Sequence, residues 1–215
     1  MTKEELYLIA QDAVNNPELV SSDIPAIDLY IDQIINLVQA KADEGSDRYK
    51  DNHLTKTMIN NYSKDGIITP VKGKKYTKVQ ILQILTLYSL KNSISIGEIK
   101  RLLDGASAID GFKGNSLEEM YDRYQEIKHR NMNFSEEVME SIISDNSLDV
   151  SSDMDYIVTA CSLISLSAQL KNIARAMIDA KYPEPVEDEE DKEDKKDKKE
   201  EKKEKKEKKK KDSES

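Results

Sequence analysis

Thr55-Lys56-Thr57-Met58-Ile59-Asn60-Asn61-Tyr62-Ser63-Lys64-Asp65-Gly66-Ile67-Ile68-Thr69-Pro70 reads as a short helix, its stop signal and the start of an extended segment. Met58, Ile59 and Tyr62 recur at helical spacing and share one face, which is set to pack inward. Lys56, Asn60, Asn61 and Lys64 are left on the opposite side. Gly66 follows where a left-handed residue best closes a helix. The next residues, Ile67 through Tyr76, carry β-branched side chains on either side of a Lys72-Gly73 turn signal, enough for one short hairpin. Thr77 then caps a long apolar helix from Val79 to about Leu90, and Ser95 caps a further helix over 96–103. The order is helix, Lys-rich wing, helix, helix.

Charge sets this segment apart. The whole chain of 215 residues carries a formal net charge of −9. Residues 1–50 hold 4 Lys/Arg against 10 Asp/Glu, 51–103 hold 9 against 3, and 104–186 hold 7 against 15. A basic island thus lies between two acidic flanks. Net charge governs solubility, whereas a local lysine patch is what a phosphate backbone meets.

Outward from the island, helical patterns dominate. Ile27, Tyr30, Ile31, Ile34, Ile35 and Val38 fit one face of a helix from about Pro25 to Ala42. Further capping-box patterns occur at Thr2…Glu5 and Ser116…Glu119. The polar stretch 43–52 reads as a loop, and polar links are expected near 110–115 and 131–133. A last long helix spans 153 to about 181, apolar on most sides (Ile157, Val158, Cys161, Ile164, Leu170, Met177), so it requires burial in the fold or against a partner. A dimerisation helix and an intramolecular core helix both satisfy that pattern.

Residues 187–215 contain no apolar residue, and Lys, Asp and Glu fill 27 of the 29 positions. Such a tail cannot build a core. Its Glu-to-Lys pairs at i, i+4 favour transient helix, and its lysines could reach nucleic acid, but a solubilising polyampholyte has the same composition. The remaining 186 residues are about one quarter charged, the ordinary globular share.

Several function classes are disfavoured. One cysteine, Cys161, permits no intrachain disulfide and no cysteine-rich metal site, and with only His53 and His129 besides, a zinc site would need carboxylates to do most of the work. There is no glycine-rich phosphate loop and no nucleophile motif, while Asp28/Asp32 and Glu136/Glu140 are pairs that exposed helix faces carry routinely. No unbroken apolar run approaches about 20 residues, and Met1-Thr2-Lys3-Glu4-Glu5 lacks a signal-peptide pattern. The expectation is a cytoplasmic, non-enzymatic protein without cofactor or metal.

A family resemblance rests on the same residues. The run Met58 to Ile68 resembles the recognition helix of MerR-type transcription regulators, which typically read Thr-Ile-Arg-Tyr-Tyr-Glu-x-x-Gly-Leu-Leu before a proline and a wing. Pro70 fits, Lys74-Lys75-Tyr76 stands where that family has Arg-x-Tyr, and Ser95 to Leu103 is similar to its closing helix. More narrowly, Ile24 to Gln33 together with Leu54 to Tyr62 resembles a bacterial family known only as a domain of unknown function. The likeness covers about 23–104. Asn60 and Asn61 depart from the usual Arg and Tyr, and Lys74 keeps the charge of an arginine without its planar fork. Tyr62 fits either a DNA contact or a core aromatic.

Taken together, the sequence predicts an all-α protein with one short β-hairpin wing: an N-terminal helix or arm over 1–22, a MerR-like winged helix-turn-helix over 23–104, a C-terminal helical region over 105–183 that is a candidate for dimerisation, and a charged tail, disordered or transiently helical, over 184–215. The function that follows is a DNA-binding transcriptional regulator. Its contacts with double-stranded DNA would come from Lys56, Thr57, Asn60, Asn61, Lys64, Lys72, Lys74, Lys75 and Tyr76, with the adenine edge open to Asn and phosphate to Lys. Palindromic operators make a homodimer the natural form. The competing reading is a protein-interaction adaptor that keeps such a fold without binding DNA.

Overall fold

The computed structural model describes residues 1–51, 53–109 and 114–184. Residues Met1–Tyr182 form one compact unit. The elements are α1 (Lys3–Val14), β1 (Leu29–Tyr30), α2 (Ile31–Ala42), α3 (Lys56–Lys64), β2 (Lys75–Tyr76), α4 (Lys78–Leu90), α5 (Ile96–Ser107), α6 (Gly114–Asp145) and α7 (Asp153–Lys181), with short 3-10 turns at Ser21–Asp23 and Asp47–Tyr49. The protein is mainly helical with one antiparallel two-stranded pair.

The expected caps are formed. Thr2, Thr77 and Ser95 each accept from the backbone N–H three residues on, and Glu5, Gln80 and Glu98 reciprocate. Thr55 caps α3 by accepting from the Met58 N–H. Gly66, at φ +65°, closes α3, with the Ile67 N–H donating to the Tyr62 carbonyl at 3.0 Å.

Helix α4 is the centre of the molecule. Eight consecutive residues, Gln80 to Leu87, are buried, so it is surrounded on all sides rather than amphipathic. Ile34 and Val38 of α2, Ile59 and Tyr62 of α3, Ile99 and Leu103 of α5, and Leu117 and Tyr121 of α6 close around it. The Tyr121 hydroxyl donates to the Leu19 carbonyl at 2.8 Å in this core. A second, smaller cluster joins Leu6 of α1 to Met139 and Ile143 of α6, with Val150 and, from α7, Leu163.

Several sequence expectations change. The segment 25–30 is not helical: Ile27 is exposed, Leu29 and Tyr30 form a strand, and α2 starts only at Ile31, where the Tyr30 N–H donates to Gln33. The strand at Lys75–Tyr76 is present, but its antiparallel partner is Leu29–Tyr30, 45 residues upstream, rather than 67–71. Ile67 and Ile68 instead go into the core. The polar run 131–133 does not interrupt α6. Its polar residues sit on the solvent side, and the helix ends after Asp145 in a turn with Ser147 at φ +53°. Ser116 lies inside α6 rather than at its cap. The link expected at 110–115 lies largely outside the described residues, as does the tail from 185 on.

The larger change concerns α7. It is the long helix expected, yet only Thr159 and Ile178 are buried. Met154, Ile157, Ile164 and Met177 are between 60% and 74% exposed. The intramolecular-core reading of this helix is therefore incorrect. Its longest uncharged stretch, 156–170, is 15 residues, but by length and composition α7 also meets the requirements of a membrane span.

Candidate nucleic-acid interface

The start of α2 positions the basic segment. Asp32 in its first turn takes an ion pair from Lys56 Nζ at 2.6 Å, fixing the N-terminal end of α3. Two residues earlier, Tyr30 receives Lys75 over its ring, with Nζ 5.0 Å from the centroid. Helix α3 and the 72–75 loop therefore flank the same β1–α2 corner. Between them lies an open groove of about 900 Å³, bordered by Tyr30, Asn60, Ser63, Pro70, Lys74 and Asp104.

The loop is held from below by two buried glutamines of α4. Gln80 Nε2 donates to the carbonyls of Thr69 and Pro70 at 3.1 and 3.0 Å, while Gln83 Oε1 accepts from the Thr69 N–H at 3.0 Å and its hydroxyl at 3.1 Å. These bonds satisfy otherwise orphaned polar groups in the core and fix where the lysine-bearing turn begins. Gly73, at φ +86°, supplies the reversal at the loop tip. On the other side, Lys100 Nζ donates to the Gly66 carbonyl at 3.3 Å and pairs with Asp104 at 2.8 Å.

Of the nine residues read from sequence, Lys56, Thr57, Asn60, Asn61, Lys64, Lys72, Lys74 and Lys75 are exposed. The ninth, Tyr76, is buried in the main core opposite Leu29, so it supports the strand and is no surface contact. Tyr62 is likewise buried, and burial pushes its hydroxyl pKa up. It is a core aromatic. Lys56 and Lys75 are partly engaged by Asp32 and Tyr30, whereas Lys64, Lys72 and Lys74 have no partner among the described residues. The loop-anchoring role of Gln80 and Gln83 escaped the sequence reading, which gave Gln80 only as the capping partner of Thr77, because a buried glutamine in an apolar helix shows such a purpose only through the distant groups it meets.

In chemical terms the surface offers amide side chains on a short helix, ammonium groups at both of its edges and an apolar-floored groove between. Among the described residues no group of three or more His, Cys, Asp or Glu is placed to hold a metal.

The molecule so described is a mainly helical protein whose lysine-bearing module is closed by a Leu29–Tyr30/Lys75–Tyr76 strand pair. Residues 19–124 match the family model of a domain of unknown function, DUF1836. The matched span runs from Leu19 into α6, and the buried Tyr121–Leu19 hydrogen bond joins its two ends. It includes the whole candidate interface and excludes α1 and α7. No curated protein and no solved structure matches the chain.

Proposed function

We propose that the chain is a DNA-binding transcriptional regulator built on a MerR-like winged helix-turn-helix, with α2 and α3 as the helix pair and 69–75 as the wing. Helix α3 lies in the major groove, where Asn60 and Asn61 read adenine edges and Lys56, Thr57 and Lys64 meet base edges or phosphate. Lys72, Lys74 and Lys75 contact the backbone alongside. The observation that carries this reading is the placement of these exposed amides and lysines on both sides of one corner, with the loop anchored by Gln80 and Gln83. An exposed side chain with no competing partner is free to neutralise a phosphate, which is the source of most non-specific affinity. Such a regulator works in the cytoplasm and needs no cofactor.

The test is binding to a random-sequence duplex across a salt series, with full-length protein, K72E/K74E and a chain ending at Val186. The full-length protein is expected to show a steep salt slope that survives removal of the tail. K72E/K74E should lower that slope by about two, close to 0.9 for each phosphate no longer neutralised. A slope that disappears with the tail, or one unchanged in K72E/K74E, overturns the assignment of the surface. No DNA binding by any of the three favours the adaptor, whose groove between α3 and the 69–75 loop would then take a protein segment.

A further inference from the structure

Every residue of α7 from Ser167 to Met177 is exposed, and the helix is fastened again only beyond them. Ile178 is buried, the Tyr182 carbonyl accepts from Arg101 at 2.8 Å, and the Tyr182 ring lies directly against Gly105 of α5. A side chain at position 105 would overlap that ring, so the bare glycine is what seats it. The exposed span leaves a groove of about 640 Å³ between α7 and the α4–α5 turn, lined in part by Leu90, Leu102, Met177 and Tyr182.

A second cavity, of about 300 Å³, lies between α4, α5 and α6 and shares Leu90, Leu102 and Tyr182 with the groove. Ile99, Ala106 and Met120 complete its apolar wall. The hydroxyls at this wall are already engaged. Thr86 donates to the Leu82 carbonyl at 2.9 Å, and Tyr124 shares a hydrogen bond of 2.9 Å with Ser89. A polar guest in this chamber would lose its hydration and gain little in return. The mouth has the opposite character. Lys171 and Lys181 line the groove, both are exposed, and neither makes an ion pair among the described residues. Lys181 Nζ stands 5.6 Å from the centroid of the Tyr182 ring, the wall common to both spaces. The nearby acids Glu98 and Asp179 are taken up by Arg175 and Arg101, so they do not offset these lysines directly.

We propose that the groove and the chamber form one binding site for a small amphiphile with a single anionic head and one aliphatic chain, a medium-chain carboxylate being the type. The chain fills the apolar chamber between α4, α5 and α6, the head meets Lys171 and Lys181, and the Tyr182 ring lies alongside where the two spaces join. Both volumes fall in the range of small-molecule sites, about 300–1,000 Å³, and an apolar lining with a few convergent charges is their usual chemistry. Charge chooses among guests. A cationic amphiphile would be repelled by the two lysines, and an uncharged hydrocarbon would leave them unused. The segment 187–215 cannot supply the guest, because it contains no apolar side chain. The inference uses no residue of the α3 face and does not depend on DNA binding.

Titration calorimetry of the full chain with decanoate, kept below its micelle-forming concentration, tests it. The wild-type protein is expected to take up one decanoate per chain, saturably and with a negative heat-capacity change from burial of the chain. Decyltrimethylammonium, which has the same chain and the opposite charge, should bind at least about tenfold more weakly, and acetate should give no heat. K171E/K181E should reverse the preference between the two heads while circular dichroism keeps the helical signal, since both lysines are exposed. A106F, which fills the chamber from α5, should raise Kd for decanoate by at least about tenfold. No saturable uptake by the wild type overturns the proposal, as does equal affinity for the two heads, or decanoate binding that is unchanged in K171E/K181E. Binding to anionic vesicles without binding of free decanoate also overturns it and assigns the apolar surface to lipid.

Discussion

Replacing Glu98 by glutamine should loosen the seat of α7 in a pH-dependent way. Glu98 lies in the first turn of α5, where its Oε2 accepts from the Ser95 N–H at 2.7 Å and its Oε1 accepts from Arg175 of α7. Its side chain is only 6% exposed. The Arg175 guanidinium, then the Ser95 N–H and hydroxyl, hold its pKa at about 2, against 4.5 for the free group. That gap corresponds to about 3 kcal/mol. Arg175 is 47% exposed, and solvent screening reduces the figure to about 1.5–2 kcal/mol. Because the folded pKa is the lower one, the contribution is complete above about pH 4.5 and is lost as pH falls towards 2. Urea unfolding of wild type and E98Q at pH 7, 5 and 3 measures it. The wild type should be more stable by about 1.5–2 kcal/mol at pH 7 and 5, and by less than about half of that at pH 3. A gap that is equal at pH 7 and 3, or E98Q as stable as wild type at pH 7, refutes the reasoning.

Ile59, on the inner face of α3, is fully buried, so I59A should cost about 2–5 kcal/mol in urea unfolding. Ser147 adopts a left-handed conformation after α6, where the Leu148 N–H donates to Ile143. S147G should raise stability by about 0.5 kcal/mol, since glycine meets no steric penalty there. A methyl group on Gly105 would overlap the Tyr182 ring, so G105A should release Tyr182 from α5, read as increased hydrogen exchange at the C-terminal end of α7. Q83L keeps the charge of the interface but removes the acceptor of Thr69. It should weaken duplex binding while leaving the salt slope nearly unchanged.

The parts of the fold legible in the sequence are those determined within a few residues. Thr55, Thr77 and Ser95 mark helix starts because a side-chain oxygen and a free N–H meet three residues apart, whatever the rest of the chain does. Gly66 marks a helix end for an equally local reason. What escaped depends on distant partners. The 27–31 spacing of apolar residues imitates a helix face, but pairing with Lys75–Tyr76 draws Leu29 and Tyr30 into a strand. Tyr76 looks like a wing residue until its ring is found against the core. The asparagines of 131–133 look like a break, yet on a solvent-facing helix side they cost little.

Helix α7 shows the limit of periodicity most clearly. An apolar pattern states that burial is needed and is silent on what supplies it. Glu98 and Arg101 of α5 hold the C-terminal end of α7 through Arg175, Asp179 and Tyr182, and the family-matched span 19–124 contains the candidate DNA face without α7. The two surfaces can therefore be separated experimentally. E98Q should leave the wild-type salt slope of duplex binding unchanged, since Glu98 carries none of the lysines of the α3 face. A lower slope in E98Q would mean that the seat of α7 and the candidate DNA face are coupled. A slope absent from both proteins would remove DNA from the account of α3.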